Sequence, residues 1–382
     1  GAQAQLLQGA VRGHGPRWQV DPFSLGVASG QPQPSSVLLW TRLRIHDADA
    51  ALKPQSLEVV CEVFADAALR QPVRQWRVQT DASRAHSVHV VASGLQPGRP
   101  YWYRFVCGNA MSPVGRARTS PGLEDPVDRL RIALASCQHY EQGYFVAHRE
   151  MAQRDLDLVL FVGDYIYESS NPQYLLRKHE GGVPKSLNEY RERHAQYKSD
   201  TDLQACHAAH TWAMTWDDHE VVNDYANDLD RDYTDPKVFL RRRAAAYQAY
   251  FEHMPLRRSA QPHGPDMLLY RSLNYGRLAQ FHVLDTRQYR TDQPQGDGVI
   301  VHYYLRGEPT APGSPTTPRV LPSSARGRRE MDRLRRRHAL VQDAQSGCPH
   351  SSWHCYMKVM APPHFLSKAL LRLAGLLLQY SL

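Results

Sequence analysis

An all-β module followed by an α/β unit is the fold class this sequence predicts, and three observations predict it. Between residues 36 and 107, short runs with strand-like alternation are separated by Gly, Pro, Ser and Asp turns, the pattern of a small β-sandwich. Residues 130–164 then read strand, helix, strand within about 35 residues, which is a βαβ unit. The third observation is where the charge lies. The chain has 382 residues, 46 Lys+Arg, 38 Asp+Glu and a formal net charge of +8. From Val299 onward there are 12 basic and four acidic residues, so 34 of each remain before it and the body is neutral.

The elements follow in order. Residues 1–20 are polar, aperiodic and expected to be a leader. Residues 21–120 are expected to be the β-sandwich, of the immunoglobulin-like kind, with strands near 36–43, 57–64, 87–91 and 99–107. Cys61 and Cys107 each fall in a strand-like run, and a disulfide between them is one reading. Residues 121–128 form a linker. A buried strand then runs to Cys137, a helix covers about 143–152, and a second apolar strand ends at Gly163-Asp164. Ligands of such units collect at the carboxyl ends of the strands. A polar insertion fills 169–186, a helix is expected over 187–194, and a third strand runs from Thr211 to Trp216. Another helix is expected over 241–251, and a hairpin turns at Asn274-Tyr275-Gly276.

Composition excludes several classes. Seven Trp and 20 Tyr rule out a disordered body. No run reaches the roughly 18–20 apolar residues needed to cross a bilayer; the apolar 365–378 is broken by Lys368 and Arg372. A nucleic-acid binder needs positive charge laid across its surface, which the neutral body lacks. No nucleic-acid partner and no transmembrane segment are therefore expected.

Three strands end in three polar clusters: Ser136-Cys137-Gln138, Gly163-Asp164 continuing to Tyr167-Glu168, and Asp217-Asp218-His219-Glu220 with Asn223 just after. Together they read as a metal site. One Asp can bridge two cations with its two oxygens, and a preceding Gly lets the backbone turn closely beneath them. Phenolate and thiolate suit trivalent iron, whereas carboxylate and amide oxygens suit harder divalent ions. Two neighbouring cations would acidify a bridging water and clamp a phosphate ester. Taken singly, a buried apolar thiol at Cys137 or a solvated helix start at 217–220 would be the blander reading.

The motifs Pro22-Phe23-Ser24-Leu25-Gly26, Val37-Leu38-Leu39-Trp40-Thr41-Arg42, Ala135-Ser136-Cys137-Gln138, Val162-Gly163-Asp164-Tyr165-Ile166-Tyr167-Glu168, Trp216-Asp217-Asp218-His219-Glu220-Val221 and Phe281-His282-Val283-Leu284-Asp285-Thr286-Arg287 resemble those of the alkaline phosphatase D (PhoD-like) family, over about residues 22–298. The resemblance implies a metallophosphoesterase-like α/β domain over 128–298, with two packed sheets flanked by helices. It implies a secreted or periplasmic protein, its signal peptide removed, and a monomer. It also implies Fe3+ and Ca2+, and hydrolysis of phosphate mono- and diesters by a metal-activated hydroxide. Position by position, Cys137, Asp164 and Tyr167 would hold iron, with Asp164 bridging. Asn223 and Asp218 compete for the calcium side. His219 would polarise phosphate or protonate the leaving group, or else orient a neighbour. Arg287 would contact phosphate, or else pair with Asp285 or Asp292.

The basic segment 299–382 departs from the family. No Gly-Asp-x-His-like motif follows Asp297, so later ligands are not found, and the segment is expected to be frame-shifted or divergent and without regular structure. Cys348 and Cys355 match no standard zinc spacing. The second functional reading is therefore a phosphate-binding protein with impaired catalysis.

Overall fold

The computed structural model describes residues 15–172, 175–290 and one further strand at 357–360. Its centre is a six-stranded sheet in the order β5-β2-β1-β11-β10-β9, formed by β1 (Val27–Gln33), β2 (Ser36–Arg42), β5 (Ser87–Ser93), β9 (Ile132–Ala135), β10 (Leu158–Phe161) and β11 (Thr211–Met214). Strands β9, β10 and β11 are parallel neighbours, as the βαβ reading requires, and α1 (Val146–Gln153) makes the crossover. Strand β1 pairs in parallel with β11, Ser29 opposite Thr211 and Gly30 opposite Trp212. The sheet therefore runs without a break from the N-terminal strands into the later ones. Gly30 is required there, because a Cβ would stand 2.4 Å from the carbonyl oxygen of Pro255.

A second sheet, of five strands, contains β3 (Leu57–Phe64), β4 (Pro72–Thr80), β6 (Pro100–Cys107), β7 (Ala110–Met111) and β8 (Gly115–Arg118). Its apolar face packs on β2 and β5 through Val37, Leu39, Val59, Val63, Val88 and Tyr103. Cys61 and Cys107 are both buried here as free thiols, so the disulfide reading is corrected. Strand β3 sets Cys61 opposite Phe105 rather than Cys107. The two thiols act as small apolar groups in the core.

The central sheet is covered on both faces, as parallel strands must be. Val159, Phe161, Trp212 and Met214 point toward α1, α2 (Leu187–Lys198), α3 (Thr201–Ala209) and α4 (Pro236–His253), forming one large core with Tyr190, Tyr197, Tyr247 and Tyr250. Leu158, Leu160 and Ala213 point the other way, onto a three-stranded sheet of β12 (Arg271–Tyr275), β13 (Ala279–Val283) and β14 (Met357–Met360). The hairpin expected at 274–276 is β12–β13, with Tyr275 opposite Ala279 across the turn. Strand β14 corrects the expectation of no regular structure in the basic segment at 357–360, where it pairs antiparallel with β13; the rest of 299–382 lies outside the described residues, and so do most of the leader 1–20 and Asp292.

Local signals start the helices where they begin. Helix α2 opens with a reciprocal capping box between Ser186 and Glu189. Helix α3 is capped by Asp200, and α4 by Asp235 with Pro236 in its first turn.

Candidate metal centre

The ends of β9, β10 and β11 converge, and the backbone beyond each strand is bent tightly. Cys137 and Asp164 both adopt the left-handed conformation, with φ of 58° and 56°. Such backbones cost non-glycine residues of order 1–3 kcal/mol and persist where the surroundings impose them. Here Cys137 donates its backbone N–H to Gly163 O at 3.1 Å, and Gln138 donates to Asp164 O at 3.2 Å, so the two loops hold each other. Gly163 has φ 122°, and a Cβ on it would lie 2.5 Å from that of Asp217. Only glycine lets β10 and β11 close to this distance. Buried Glu220 ties the same ends together, accepting from the backbone N–H of Tyr165 at 2.5 Å and of Asp217 at 2.9 Å.

The side chains meet in the space so formed. Tyr167 Oη donates to Asp164 Oδ2 at 3.0 Å, and the Cys137 thiol is in hydrogen-bond contact with both. Asp164, Asp218 and His219 each offer a ligand atom, all within 4.8 Å of one another. Asp164 Oδ1 is buried and has no hydrogen-bond partner. A buried carboxylate oxygen left bare is costly unless something cationic completes it. Cys137 stands at the exposed mouth of the group.

Electrostatics argue the same way. Burial, then the charges of Asp218 and Asp217, push Asp164 up to about 6. Burial and the Asp164 charge raise the Tyr167 phenol well above its ordinary value, and crowding by protein raises the Cys137 thiol to about 12. Asp217 is raised by burial against the pull of Arg287. A cation among these groups would reverse every one of these shifts, because each comes from denying solvent to a negative charge or stacking such charges together.

His219 is the exception, and Glu168 explains it. Burial opposes its charge, but the Glu168 carboxylate, 2.7 Å from Nδ1, with Asp218 and Asp164 beyond, holds it up at about 9. The second oxygen of Glu168 accepts the backbone N–H of Asn223 at 3.0 Å. Tyr167 stacks on the His219 ring with centroids 4.2 Å apart. Sequence reasoning named the cluster that contains Glu168 but gave that residue no role. A carboxylate four residues past the strand-end Asp was the available signal.

Arg287 is 4% exposed and reaches back to the third strand: Nε to Asp217 Oδ1 at 2.5 Å and Nη2 to Asp218 Oδ1 at 3.2 Å. The expected alternative pairing with Asp285 is corrected. Asp285 takes the backbone N–H of Arg287, while its side chain also receives Trp216 Nε1 and Gln288. Nη1 of Arg287 is buried without a partner. Asn223 spends its amide nitrogen on Asp224 at 2.6 Å, and Asp224 N donates to Asp218 Oδ2 at 2.6 Å, so Asn223 and Asp218 are joined through one residue.

Carboxylates, a thiol, a phenol and an imidazole gathered at the strand ends of a covered parallel sheet define an α/β protein with a side-chain group that could hold a metal ion. The matches to known sequences narrow that class. Residues 9–121 match the PhoD-like phosphatase N-terminal domain and residues 132–334 match the PhoD-like phosphatase. The chain belongs to the PhoD-like phosphatase family, and the match continues past residue 298 into the basic segment. It is 50% identical over 289 residues to alkaline phosphatase D of Bacillus subtilis (strain 168), covering 74% of this chain and 50% of that protein. A solved structure, that of PhoD, superposes with a TM-score of 0.71 at 48% identity, over 74% of this chain and 55% of the other. The chain thus spans about half the length of the relatives it matches.

Proposed function

We propose that this chain hydrolyses phosphate monoesters and diesters with the help of metal ions held at the ends of β9, β10 and β11. The observation that carries the reading is Asp164: its carboxylate sits between the Cys137–Tyr167 side and the Asp218–His219 side, with one oxygen buried and unpartnered. The donors fit the ions the family implies. Cys137, Asp164 and Tyr167 would hold Fe3+, the ion that thiolate and phenolate favour, and Asp218 and Asn223 would hold Ca2+ through oxygen. Bound there, the ions would supply an activated water and neutralise the phosphate oxygens.

The chain's own groups do the rest. Arg287 fixes Asp217 and Asp218, and its free Nη1 is the atom available to a phosphate oxygen. Glu168 fixes the His219 ring with Nδ1 as donor, which leaves Nε2 to give a proton to a leaving oxygen. Tyr167, stacked on that ring, keeps it from rotating away. In the same reading the fold is of the two-sheet metallophosphoesterase kind over 128–298, carrying an immunoglobulin-like sandwich over 21–120. The protein acts as a monomer outside the cytoplasm. Among the described residues, no helix is long and apolar enough to cross a membrane.

The test is hydrolysis of p-nitrophenyl phosphate and bis-p-nitrophenyl phosphate by the full chain supplied with iron and calcium, beside metal analysis. Turnover that disappears in Asp164→Asn supports the reading. Phosphate binding without turnover in the metal-loaded wild type would instead favour an impaired binding protein.

A further inference from the structure

Behind Tyr165, and sharing no side chain with the candidate metal site, a second set of titratable side chains lies where the N-terminal strands meet the helices. Helix α4 ends with carbonyl groups that no further turn can satisfy. The N-terminal strands supply donors: His89 Nε2 of β5 reaches the carbonyls of Phe251 and Met254, both at 3.1 Å, and Trp40 Nε1 of β2 reaches that of Glu252 at 3.0 Å. His253 closes the last turn with Nδ1 2.6 Å from the Ala249 carbonyl. A carbonyl can only accept, so Nδ1 carries the proton. Nε2 of the same ring lies 2.6 Å from Nη1 of Arg42. A guanidinium can only donate, so Nε2 must present a lone pair and the ring must be neutral.

His194 of α2 stacks on His253, centroids 5.0 Å apart and planes 14° apart. It is wholly buried, and neither of its ring nitrogens has a hydrogen-bond partner. Lys198, one turn further along α2 and also buried, sets Nζ 4.3 Å from the centre of the Trp40 ring. The charges acting on the two imidazoles are all positive: Arg42 from β2, Lys198 from α2 and, for His194, Arg193. Tyr250 of α4 and Tyr165 also flank His194, as neutral phenols. The acids that act on Arg42, Glu192 and Glu252, serve other partners. Glu252 is held bidentately by Arg191 at 2.7 Å, and Glu192 pairs with Arg44 at 3.6 Å. His89 of β5 is neutral as well, pushed down to about 4 by burial.

We propose that Arg42, His194, Lys198 and His253 form a proton-operated joint between the N-terminal strands and helices α2 and α4, closed while both imidazoles are neutral and loosened when either takes a proton. A proton on His253 Nε2 would set N–H against N–H at 2.6 Å and break one of the bonds tying β2 to α4, leaving that of Trp40 to the Glu252 carbonyl. A proton on His194 would place a charge between two cations with no acceptor in reach. Burial, with those cations, holds both rings well below their usual value, and burial alone pushes Lys198 down to about 7. The sign follows. The unfolded chain takes these protons more readily than the folded one, so stability is lost as pH falls below about 6.5 for the imidazoles. For Lys198 the unfolded chain keeps its proton to about 10.5, so stability rises from about pH 7 upward. The joint therefore favours an alkaline medium.

Thermal melting of the full chain, metal-stripped and at constant ionic strength, tests this between pH 5 and 9. The wild-type midpoint should drop by about 5 °C or more from pH 7 to 5. His194→Phe, which keeps the stacking and loses the titration, and His253→Gln should each recover a third or more of that drop. Lys198→Met should flatten the rise from pH 7 to 9. A wild-type midpoint that does not move, or an equal drop in wild type and His194→Phe, overturns the proposal. Should His253→Gln fail to fold, the comparison with His194→Phe decides alone.

Discussion

Glu168 Oε2 lies 2.7 Å from His219 Nδ1, and its other oxygen receives the backbone N–H of Asn223, so one carboxylate fixes an imidazole on one side and a loop on the other. In the metal-free chain this pair holds His219 up at about 9. A raised imidazole contributes stability that is complete below its ordinary value of about 6.5 and is lost as pH rises through about 9. Glu168→Gln should therefore destabilise the metal-stripped chain by roughly 1–3 kcal/mol at pH 6.5 and much less at pH 9.5. Denaturant melts at the two pH values check this; equal losses at both would refute it. In the metal-loaded chain the same variant should lower kcat by about 10–100-fold, since the ring loses its fixed orientation.

Asp164→Asn separates stability from function. Asp164 is raised to about 6, so its ionised form weakens the metal-free fold once pH exceeds its ordinary value of about 4. The amide should stabilise the stripped chain at pH 8 by roughly 1–3 kcal/mol while abolishing iron uptake. Melting curves and metal analysis on the same preparation read both outcomes, and a variant that is less stable and still binds iron contradicts the assignment.

Gly163→Ala tests the closeness of β10 and β11. The added methyl meets Asp217 at 2.5 Å with a backbone at φ 122° that alanine resists. The cost should be about 2–4 kcal/mol. Urea melts should show it, with metal affinity falling in parallel.

Arg287→Lys keeps the charge and loses the fork that spans Asp217 and Asp218. Lysine presents a point charge and cannot hold both carboxylates in one plane. The expected result is a kcat/KM lowered by about 10–100-fold with the chain still folded. Arg287→Ala, which leaves the buried Asp218 and half-buried Asp217 carboxylates uncompensated, should cost about 3–5 kcal/mol in a melt.

Much of the site was legible because its parts are local. Cys137, Asp164 and Asp218 each follow an apolar strand, and period and turn chemistry suffice to place them at strand ends. The relations between them were not legible. Arg287 meets Asp217 across 70 residues, and no spacing rule reports such a pair. Strand β4 is mostly exposed, so it lacks the alternation that marked β3 and β6 and passed unnoticed. Helix α3 is short, and only Leu203, Cys206 and His207 on it are buried, too few to show a period. The Cys61–Cys107 reading failed because occupancy of neighbouring strands does not say whether two side chains face each other at bonding distance.

The pairing of β1 with β11 has a consequence for how the chain is made. Ser29 leaves the ribosome 182 residues ahead of Thr211, whose hydroxyl it will meet at 3.1 Å. At about 5–20 residues per second that is a wait of roughly 10–40 s, during which β1 presents an edge of unpaired backbone groups to its surroundings. The nascent chain must be shielded over that interval, or fold only after release. A gene cut at the linker would make the exposure permanent.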